Sequence, residues 1–147
     1  MAQPEEFTPE LVAFQVEPEW FKQGRVIGEG AFGRVYEAVH TDTGIRCAQK
    51  VIFADVLEGD ELIDFSREIS ILAKCDSMFL LSFFGFTSCH PYSVVTEYLC
   101  NGSLYAALRG RKGSPRLTGT DKTAIAIGMA HGMKALHAVN VIHRDLK

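Results

Sequence analysis

Three glycines near the beginning of the chain have the spacing of a loop that could hold phosphate groups. Gly28, Gly30 and Gly33 are followed by Val35, which gives the pattern G-x-G-x-x-G-x-V. Because glycine lacks a Cβ, the backbone amides of such a loop can approach a polyphosphate closely. A glycine-rich hairpin turn without a ligand has the same pattern, so the cluster alone leaves both interpretations open.

The residues after the cluster exclude two common phosphate-binding motifs. A dinucleotide-binding fingerprint requires a helix after the third glycine, but residues 35–39 are typical of a strand. A Walker loop requires Gly-Lys followed by Ser or Thr, but Gly33 is followed by Arg34. A phosphate-binding loop at this position would therefore lie between two strands.

A lysine and a glutamate form the second candidate site. Lys50 ends the segment C-A-Q-K, and Glu68 borders the apolar face of a predicted helix, 18 residues further along the chain. A carboxylate in that position is costly unless a cation meets it. We therefore predict that Lys50 pairs with Glu68, which would hold the ammonium group where it can meet phosphate oxygens. A lysine on the solvent face of a strand is the alternative.

The third candidate is the charged segment H-R-D-L-K at residues 143–147. A charged segment of this kind is often simply solvated. Here it follows a glycine cluster, a strand lysine and a helix glutamate, in that order, and this order favours a functional interpretation.

The elements that must position these residues follow from the hydrophobic pattern. Leu62, Phe65, Ile69 and Leu72 recur at spacings of 3, 4 and 3, which indicates an amphipathic helix. Five strands with one inserted helix, followed mainly by helices, predict an α+β fold with two lobes, in which the first three strands form an antiparallel meander. The predicted strands are 21–27, 35–39, 45–53, 80–86 and 92–98, and the predicted helices are 60–74, 104–108 and 120–139.

Several shorter segments carry local signals. Three prolines in the first 19 residues favour an irregular lead-in. Ser103 can cap the short helix that follows it. The spacing of Gly128 and Gly132 predicts close packing of the last helix, and residues 141–142 are expected to begin an extended segment.

The composition is that of an ordinary soluble protein. The 147 residues are 47% hydrophobic and 22% charged with a net charge of −3, which excludes a strongly basic polyanion-binding chain. The four cysteines form no C-x-x-C pair, the chain begins without a leader pattern, and no stretch has the length and apolarity of a membrane helix. We therefore expect a cytoplasmic protein that binds neither nucleic acid nor membrane and uses no metal ligands of its own.

Together the motifs resemble those of the eukaryotic protein kinase family, most closely its tyrosine-kinase-like branch. The resemblance covers residues 20–147, with residues 1–19 as a lead-in. It implies the protein-kinase α+β fold, with an antiparallel sheet lobe and its C-helix, a hinge at residues 97–101, and the first helices of an incomplete helical lobe. The implied activity is ATP-dependent phosphorylation of Ser or Thr hydroxyls on protein substrates.

The resemblance also implies roles for individual residues. Asp145 is similar to the aspartate that accepts the proton of the substrate hydroxyl, and Lys147 to a lysine that contacts the transferred phosphate in Ser/Thr kinases. Lys50 is similar to the lysine that holds the α- and β-phosphates, oriented by Glu68. The implied ATP-binding residues are Ile27, Gly28, Gly30, Gly33, Val35, Ala48, Lys50, Thr96, Glu97 and Leu99.

The sequence departs from the family pattern in two places. Gln49 stands where an aliphatic residue is usual, so a polar side chain is expected in the packing near Lys50. The asparagine of H-R-D-L-x-x-x-N would fall three positions after Lys147, and D-F-G later still, so the Mg²⁺ ligands lie outside this sequence. ATP and Mg²⁺ are the implied cofactors, yet we expect these 147 residues to be inactive. The alternative is a catalytically silent module that binds nucleotide weakly or acts through protein contacts.

Overall fold

The structure is a computed structural model that describes residues 7–146. The strands are β1 (Phe21–Glu29), β2 (Gly33–His40), β3 (Arg46–Ile52), β4 (Phe83–Thr87) and β5 (Ser93–Glu97). The helices are α1 (Pro9–Val12), α2 (Gly59–Lys74), α3 (Leu104–Leu108) and α4 (Gly119–Ala138). The predicted α+β order is confirmed.

All five strands form one antiparallel sheet in the order β1-β2-β3-β5-β4. The first three strands are the predicted meander, since β2 pairs with both β1 and β3. The turn signal at residues 41–44 lies between β2 and β3, where Gly44 has a φ of 70°, a conformation that glycine adopts without steric cost. The sheet order places β3, which carries Lys50, in the middle of the sheet.

Helix α2 forms over almost the predicted range and packs its apolar face against the sheet. Asp60 in its first turn and Lys74 in its last turn complement the helix dipole. Phe65 and Ile69 are buried in the main hydrophobic cluster, together with Phe86 of β4. The amphipathic spacing in the sequence therefore identifies the helix and the face that it buries.

Residues 7–20 correct the prediction of an irregular lead-in. Pro9–Val12 form the single turn α1, which begins with a proline, and Pro18–Trp20 form a 3₁₀ turn that also begins with one. Proline suits the first position of a helix because the missing N–H would have no intrahelical partner there. Between the two turns, the Phe86 N–H donates to the Phe14 carbonyl (3.0 Å) and the Val16 N–H donates to the Phe86 carbonyl (2.9 Å).

Gln49 is buried, with 1% of its surface exposed, and its polar atoms are paired. Its Oε1 accepts from Gln23 Nε2 (3.0 Å), and its Nε2 donates to Ser93 Oγ (3.0 Å). Ser93 shares a hydrogen bond with Thr87 (3.1 Å), whose hydroxyl also donates to a backbone carbonyl (2.7 Å). Because successive residues of a strand point to opposite faces, this polar chain lies on the face opposite to Lys50. The departure from the family pattern is therefore compensated away from the candidate site.

The described residues fall into two compact units. The first comprises residues up to Asp76 together with Leu81–Tyr98, and the second comprises Ser77–Leu80 together with the residues from Leu99 onward. The first contains the sheet and α2, and the second contains α3 and α4.

In the second unit, Phe79 packs against α4. Its ring stacks on His131 at 4.8 Å between centroids, and a Cβ on Gly132 would lie 2.9 Å from the Phe79 carbonyl oxygen. The close packing predicted from Gly128 and Gly132 is confirmed. Because residues 77–80 belong to this packing, β4 begins at Phe83 and not at Leu80 as predicted.

Both helices of the second unit begin with side-chain caps. The Ala106 N–H donates to Ser103 Oγ (3.2 Å), which confirms the predicted cap of α3. Thr118 and Asp121 cap α4 reciprocally, and the hydrogen bonds from Thr118 lower the pKa of the Asp121 carboxyl. After α4, Asn140 has a φ of 59°, a left-handed conformation typical of helix ends. The segment from residue 141 onward joins no strand in the described part of the chain, so the extended segment predicted there is not part of the sheet.

No helix within residues 7–146 combines the length and the apolar character that are needed to cross a bilayer.

Candidate active site

The predicted pair of Lys50 and Glu68 is present. Lys50 Nζ lies 2.7 Å from Oε1 and 3.0 Å from Oε2 of Glu68, so the ammonium group contacts both carboxylate oxygens. The side chains are 37% and 41% exposed. An ion pair at that exposure contributes on the order of 1 kcal/mol or less to stability. Its consequence is geometric: each side chain fixes the position of the other while remaining open to a ligand.

Each member of the pair stands on a well-supported element. Lys50 lies opposite Val35 of β2 and opposite Val94 of β5, so its strand is held on both sides. Glu68 lies on α2 between the two buried residues Phe65 and Ile69. Its position therefore depends on how α2 packs against the sheet.

The N-terminal segment supports that packing. Phe7 and Leu11 are each 5% exposed and belong to the same hydrophobic cluster as Phe65 of α2. The Phe7 ring lies 4.9 Å from the Phe86 ring, which in turn meets Phe65 edge to face at 6.2 Å. A row of three aromatic rings thus connects residues before the sheet to the helix that carries Glu68.

The glycine cluster forms a hairpin between β1 and β2, as the sequence predicted. The Gly30 N–H donates to the Gly33 carbonyl (2.9 Å), and Arg34 pairs with Glu29 across the base of the hairpin (2.9 Å). Phe32 at the tip is 81% exposed.

Packing requires glycine at one position of the hairpin but not at another. A Cβ on Gly33 would lie 2.4 Å from the Val51 carbonyl oxygen, so glycine is required there by the approach of β2 to β3. A Cβ on Gly30 would meet no atom within 4 Å. Packing therefore accounts for Gly33 but not for Gly30, where the room above the backbone is open to a ligand.

A cleft of about 700 Å³ lies beside the Lys50–Glu68 pair. It is lined by the hairpin tip at Ala31 and Phe32, by β3 with the loop that follows it, and by the first turns of α2. Among the described residues that line it, Lys50 is the single base. The other charged lining residues are Asp55, Asp60, Glu61, Asp64 and Glu68. A polyphosphate entering this cleft would meet one ammonium group and several carboxylates, and an accompanying divalent cation would reduce the repulsion.

The predicted apolar residues of the adenine site share one face of the sheet with Lys50. Val35 lies directly opposite Lys50, and Ala48, two residues before Lys50, lies opposite Thr96. Residues directly opposite each other in adjacent strands, and residues two apart in one strand, point to the same side. Ile27 on β1 is 40% exposed. The sheet register therefore brings together Val35, Ala48, Lys50 and Thr96.

The predicted hinge begins with Glu97, whose polar groups are already engaged. Its N–H donates to the Ser82 carbonyl (2.9 Å), and its Oε1 accepts from the Ser82 N–H (2.8 Å). Leu99 follows in the second unit and is 60% exposed. The Glu97 carbonyl oxygen accepts from the Thr96 hydroxyl (3.4 Å). A carbonyl oxygen has two lone pairs, so it is the group of the Glu97 backbone that can still accept from an adenine edge.

The segment with Asp145 belongs to the second unit. The Asp145 N–H donates to His143 Nδ1 (3.3 Å), and Arg144 has a φ of 63°. Asp145 is exposed. Lys147, the other predicted residue of this segment, lies outside the described residues.

The remaining reactive groups of residues 7–146 form no metal site. No three His, Cys, Asp or Glu side chains in this range are arranged to hold an ion. Cys47, Cys75, Cys89 and Cys100 are free thiols, and burial raises the pKa of Cys47 and Cys75.

Sequence reasoning did not identify two groups that shape the site. Phe7 and Leu11 were missed because the prolines around them favoured an irregular segment. Their spacing of four residues is nevertheless that of apolar side chains on one face of a helix. The second group is the acidic lining of the cleft, which was not identified because the hydrophobic pattern of α2 gives no role to Asp60 and Asp64. Their spacing places both on one side of α2, which lines the cleft.

Comparison with known proteins gives a family match over most of the chain. A family model described as protein tyrosine and serine/threonine kinase matches residues 21–147. This range contains the glycine hairpin, Lys50, Glu68 and the H-R-D-L-K segment.

Individual relatives agree with this match. The chain is 36% identical over 124 residues to the dual specificity protein kinase shkB of Dictyostelium discoideum, covering 82% of this chain and 18% of that protein. It is 32% identical over 129 residues to an Aurora kinase of Eremothecium gossypii, covering 86% and 34%. It is 31% identical over 135 residues to the serine/threonine-protein kinase STY46 of Arabidopsis thaliana, covering 91% and 23%. The chain thus spans about a third or less of the length of these relatives.

Proposed function

Because this chain belongs to the protein tyrosine and serine/threonine kinase family, we propose that it binds ATP on the sheet face that carries Lys50. We further propose that it serves the transfer of the γ-phosphate to Ser or Thr hydroxyls of protein substrates. The observation that carries the proposal is the Lys50–Glu68 contact at 2.7 Å beside the glycine hairpin. The named Ser/Thr and dual-specificity relatives support the transfer of phosphate to hydroxyls. We place the chain in the tyrosine-kinase-like branch on its motifs.

In this proposal, Lys50 binds phosphate oxygens and Glu68 orients it. The ammonium group has three N–H donors, and the two carboxylate oxygens of Glu68 engage it from one side. The side of the ammonium group away from Glu68 then donates to the α- and β-phosphates. The backbone at Gly28 and Gly30 covers the phosphates, since no Cβ blocks its approach.

The adenine ring is proposed to lie against Ile27, Val35 and Ala48, with Thr96 at the back of its pocket. These residues are apolar or small, as a flat aromatic ring requires. The Glu97 carbonyl is proposed to accept a hydrogen bond from the adenine edge and the Leu99 N–H to donate one, because the Glu97 N–H is engaged by Ser82.

Asp145 and Lys147 are proposed to act on the substrate hydroxyl and the transferred phosphate. A carboxylate within hydrogen-bond reach of a hydroxyl can accept its proton as the oxygen attacks phosphorus. Lysine at position 147 favours a Ser/Thr substrate in this family pattern. Bound Mg²⁺ would neutralise charge on the phosphate oxygens; in the family pattern its ligands are the asparagine of H-R-D-L-x-x-x-N and the aspartate of D-F-G, which are not among these 147 residues.

These 147 residues by themselves are proposed to bind nucleotide without measurable turnover, because the family's Mg²⁺ ligands are not among them. A cytoplasmic setting is proposed because all four cysteines are free thiols, as in proteins of reducing compartments.

The proposal is tested by nucleotide binding to the 147-residue chain. A fluorescent ATP analogue is titrated with Mg²⁺ into the chain, its Lys50→Met variant and a Lys22→Met control, in which an exposed lysine of β1 is replaced. We expect the Lys50→Met variant to bind at least about tenfold more weakly, a loss of about 1.4 kcal/mol, and the control to bind like the parent. A folded parent chain that does not bind, or a Lys50→Met variant that binds equally well, would refute the proposal and favour a module that acts through protein contacts alone.

A further inference from the structure

The charge of the chain is distributed very unevenly along the sequence. Residues 99–147 contain eight Lys and Arg against two Asp and Glu, a net charge of +6, whereas residues 1–98 contain seven against sixteen, a net charge of −9. The overall charge of −3 therefore conceals a basic region. Such an asymmetry is typical of chains with an anionic partner.

The basic residues of the second unit concentrate around one cavity. It has a volume of about 490 Å³ and lies between the end of α3, the loop of residues 109–118, and the beginning of α4. Arg111, Lys112, Arg116 and Lys122 line it. Its volume falls within the range of small-ligand sites in proteins, about 300–1,000 Å³.

These four cations are not neutralised by carboxylates. Among residues 7–146, none of the four forms an ion pair. The acidic residue nearest in sequence is Asp121, whose carboxylate already accepts from the N–H (2.8 Å) and the hydroxyl (2.7 Å) of Thr118. Arg111 lies over the ring of Tyr105 at 5.2 Å, which holds one wall of the cavity in place. Four unpaired cations around one concavity repel each other, and a bound anion would relieve that repulsion.

From this we propose that the cavity is a docking site for a phosphorylated segment of a protein partner. A phosphate monoester carries close to two negative charges at neutral pH and three acceptor oxygens. Arg111 and Arg116 can each donate two parallel hydrogen bonds to such a group, and Lys112 and Lys122 add point charges. The remaining volume admits the residues next to the phosphorylated one.

A compact anion fits this charge distribution better than an extended one. Nucleic acid and anionic membranes bind through many phosphates spread over a long surface, whereas the four cations here line a single cavity of about 490 Å³. A single phosphate group in the cavity interacts mainly with charges within a Debye length of about 10 Å at 0.1 M salt. The cavity therefore selects a short phosphorylated segment.

The test is fluorescence anisotropy with a labelled Gly/Ala peptide that contains one phosphoserine, and with its unphosphorylated counterpart. The protein is the 147-residue chain, the double variant Arg111→Gln/Arg116→Gln, the single variant Lys122→Gln and the control Lys134→Gln. Lys134 is also an exposed lysine of α4 but does not line the cavity. The variants are checked for folding by circular dichroism.

We expect the phosphorylated peptide to bind the parent chain at least about tenfold more tightly than the unphosphorylated peptide, and more weakly as salt is added. The double variant should lose about tenfold in affinity and Lys122→Gln a smaller factor, while Lys134→Gln should bind like the parent. Equal binding of the two peptides, or full binding by the double variant, would overturn the proposal.

Two further arms distinguish the source of the anion. If inorganic phosphate displaces the labelled peptide at the same concentration as the unlabelled phosphopeptide does, the cavity binds free phosphate, and the proposal of a phosphorylated protein partner is wrong. If phosphatidylserine vesicles or single-stranded DNA bind more tightly than the phosphopeptide and depend on Arg111 and Arg116, an extended polyanion is the partner. Binding of the ATP analogue should be unchanged in all these variants, so the outcome is independent of the proposed kinase function.

Discussion

The ring of Phe7 lies 4.9 Å from the ring of Phe86, although 79 residues separate them in the sequence. This contact joins the N-terminal segment to β4, and the Phe86 ring in turn meets the ring of Phe65 of α2 edge to face. Glu68 follows one helical turn after Phe65. The position of the proposed active-site carboxylate thus depends on residues that precede the family match at residue 21.

Replacing Phe7 with Ala should therefore affect both stability and nucleotide binding. Loss of a buried aromatic ring costs about 3 kcal/mol of unfolding free energy, and a less constrained α2 should bind the ATP analogue more weakly even where the chain is fully folded. The measurements are urea unfolding and analogue titration. Phe21→Ala is the matched control, because Phe21 packs against the separate cluster of Ala38, Cys47 and Val95. If both variants weaken nucleotide binding equally, Phe7 has no specific connection to the site.

Substitutions in the glycine hairpin should distinguish Gly33, which packing requires, from Gly30, which we expect nucleotide binding to require. Gly33→Ala places a methyl group 2.4 Å from a backbone oxygen, and such overpacking typically costs about 1–3 kcal/mol. Gly30→Ala meets no neighbouring atom and should leave the melting temperature within a few degrees of the parent while weakening the ATP analogue. Thermal melts and titrations of both variants check this. A Gly30→Ala variant with parental nucleotide affinity would show that the hairpin does not cover the phosphates.

The elements that bury one regular face could be predicted from sequence. The spacing of Leu62, Phe65, Ile69 and Leu72 identified α2 and the side of it that Glu68 borders, and from this the contact with Lys50 followed. The strand pattern around the glycines likewise fixed the hairpin between β1 and β2.

Features that depend on tertiary contacts could not be predicted in the same way. The N-terminal segment has a single helical turn and a short stretch beside β4, and both depend on Phe86, which is distant in sequence. Strand β4 begins at Phe83 and not at Leu80, because Phe79 packs against α4. Strand propensity does not predict such a tertiary contact. The net charge of −3 for the whole chain did not reveal the basic cavity, because acidic residues elsewhere in the sequence outnumber its four basic residues.

A pH-dependent contribution to stability is expected from Glu37. Its carboxylate accepts from Arg25 (2.9 Å) and from Arg46, and these hydrogen bonds lower the pKa of Glu37 in the folded chain. A carboxyl group with a lowered folded pKa stabilises the fold above its unfolded pKa of about 4.3 and loses that contribution as the pH falls through the folded pKa. The parent chain and Glu37→Gln are compared by urea unfolding between pH 7 and pH 3. The difference in unfolding free energy should be largest near pH 7 and shrink below about pH 4; a difference that does not change with pH would mean that the ion pairs contribute nothing.

Lys50 and Glu68 should act as one unit in nucleotide binding. Lys50→Met removes the phosphate contact itself, whereas Glu68→Gln keeps the shape of the side chain but removes the charge that holds the ammonium group at 2.7 Å. Once Lys50 is absent, Glu68 has no cation to orient, so the double variant should bind the ATP analogue about as weakly as Lys50→Met alone. The measurement is a double-mutant cycle on the dissociation constant, with a coupling energy of about 1 kcal/mol expected for residues in contact. Glu61→Gln, an exposed acidic residue of α2 that also lines the cleft, is the control for charge. It should remain additive with Lys50→Met, because it does not contact the ammonium group. If the losses of Lys50→Met and Glu68→Gln multiply in the double variant, the two residues act independently, and the assignment of Glu68 as the orienting carboxylate is wrong.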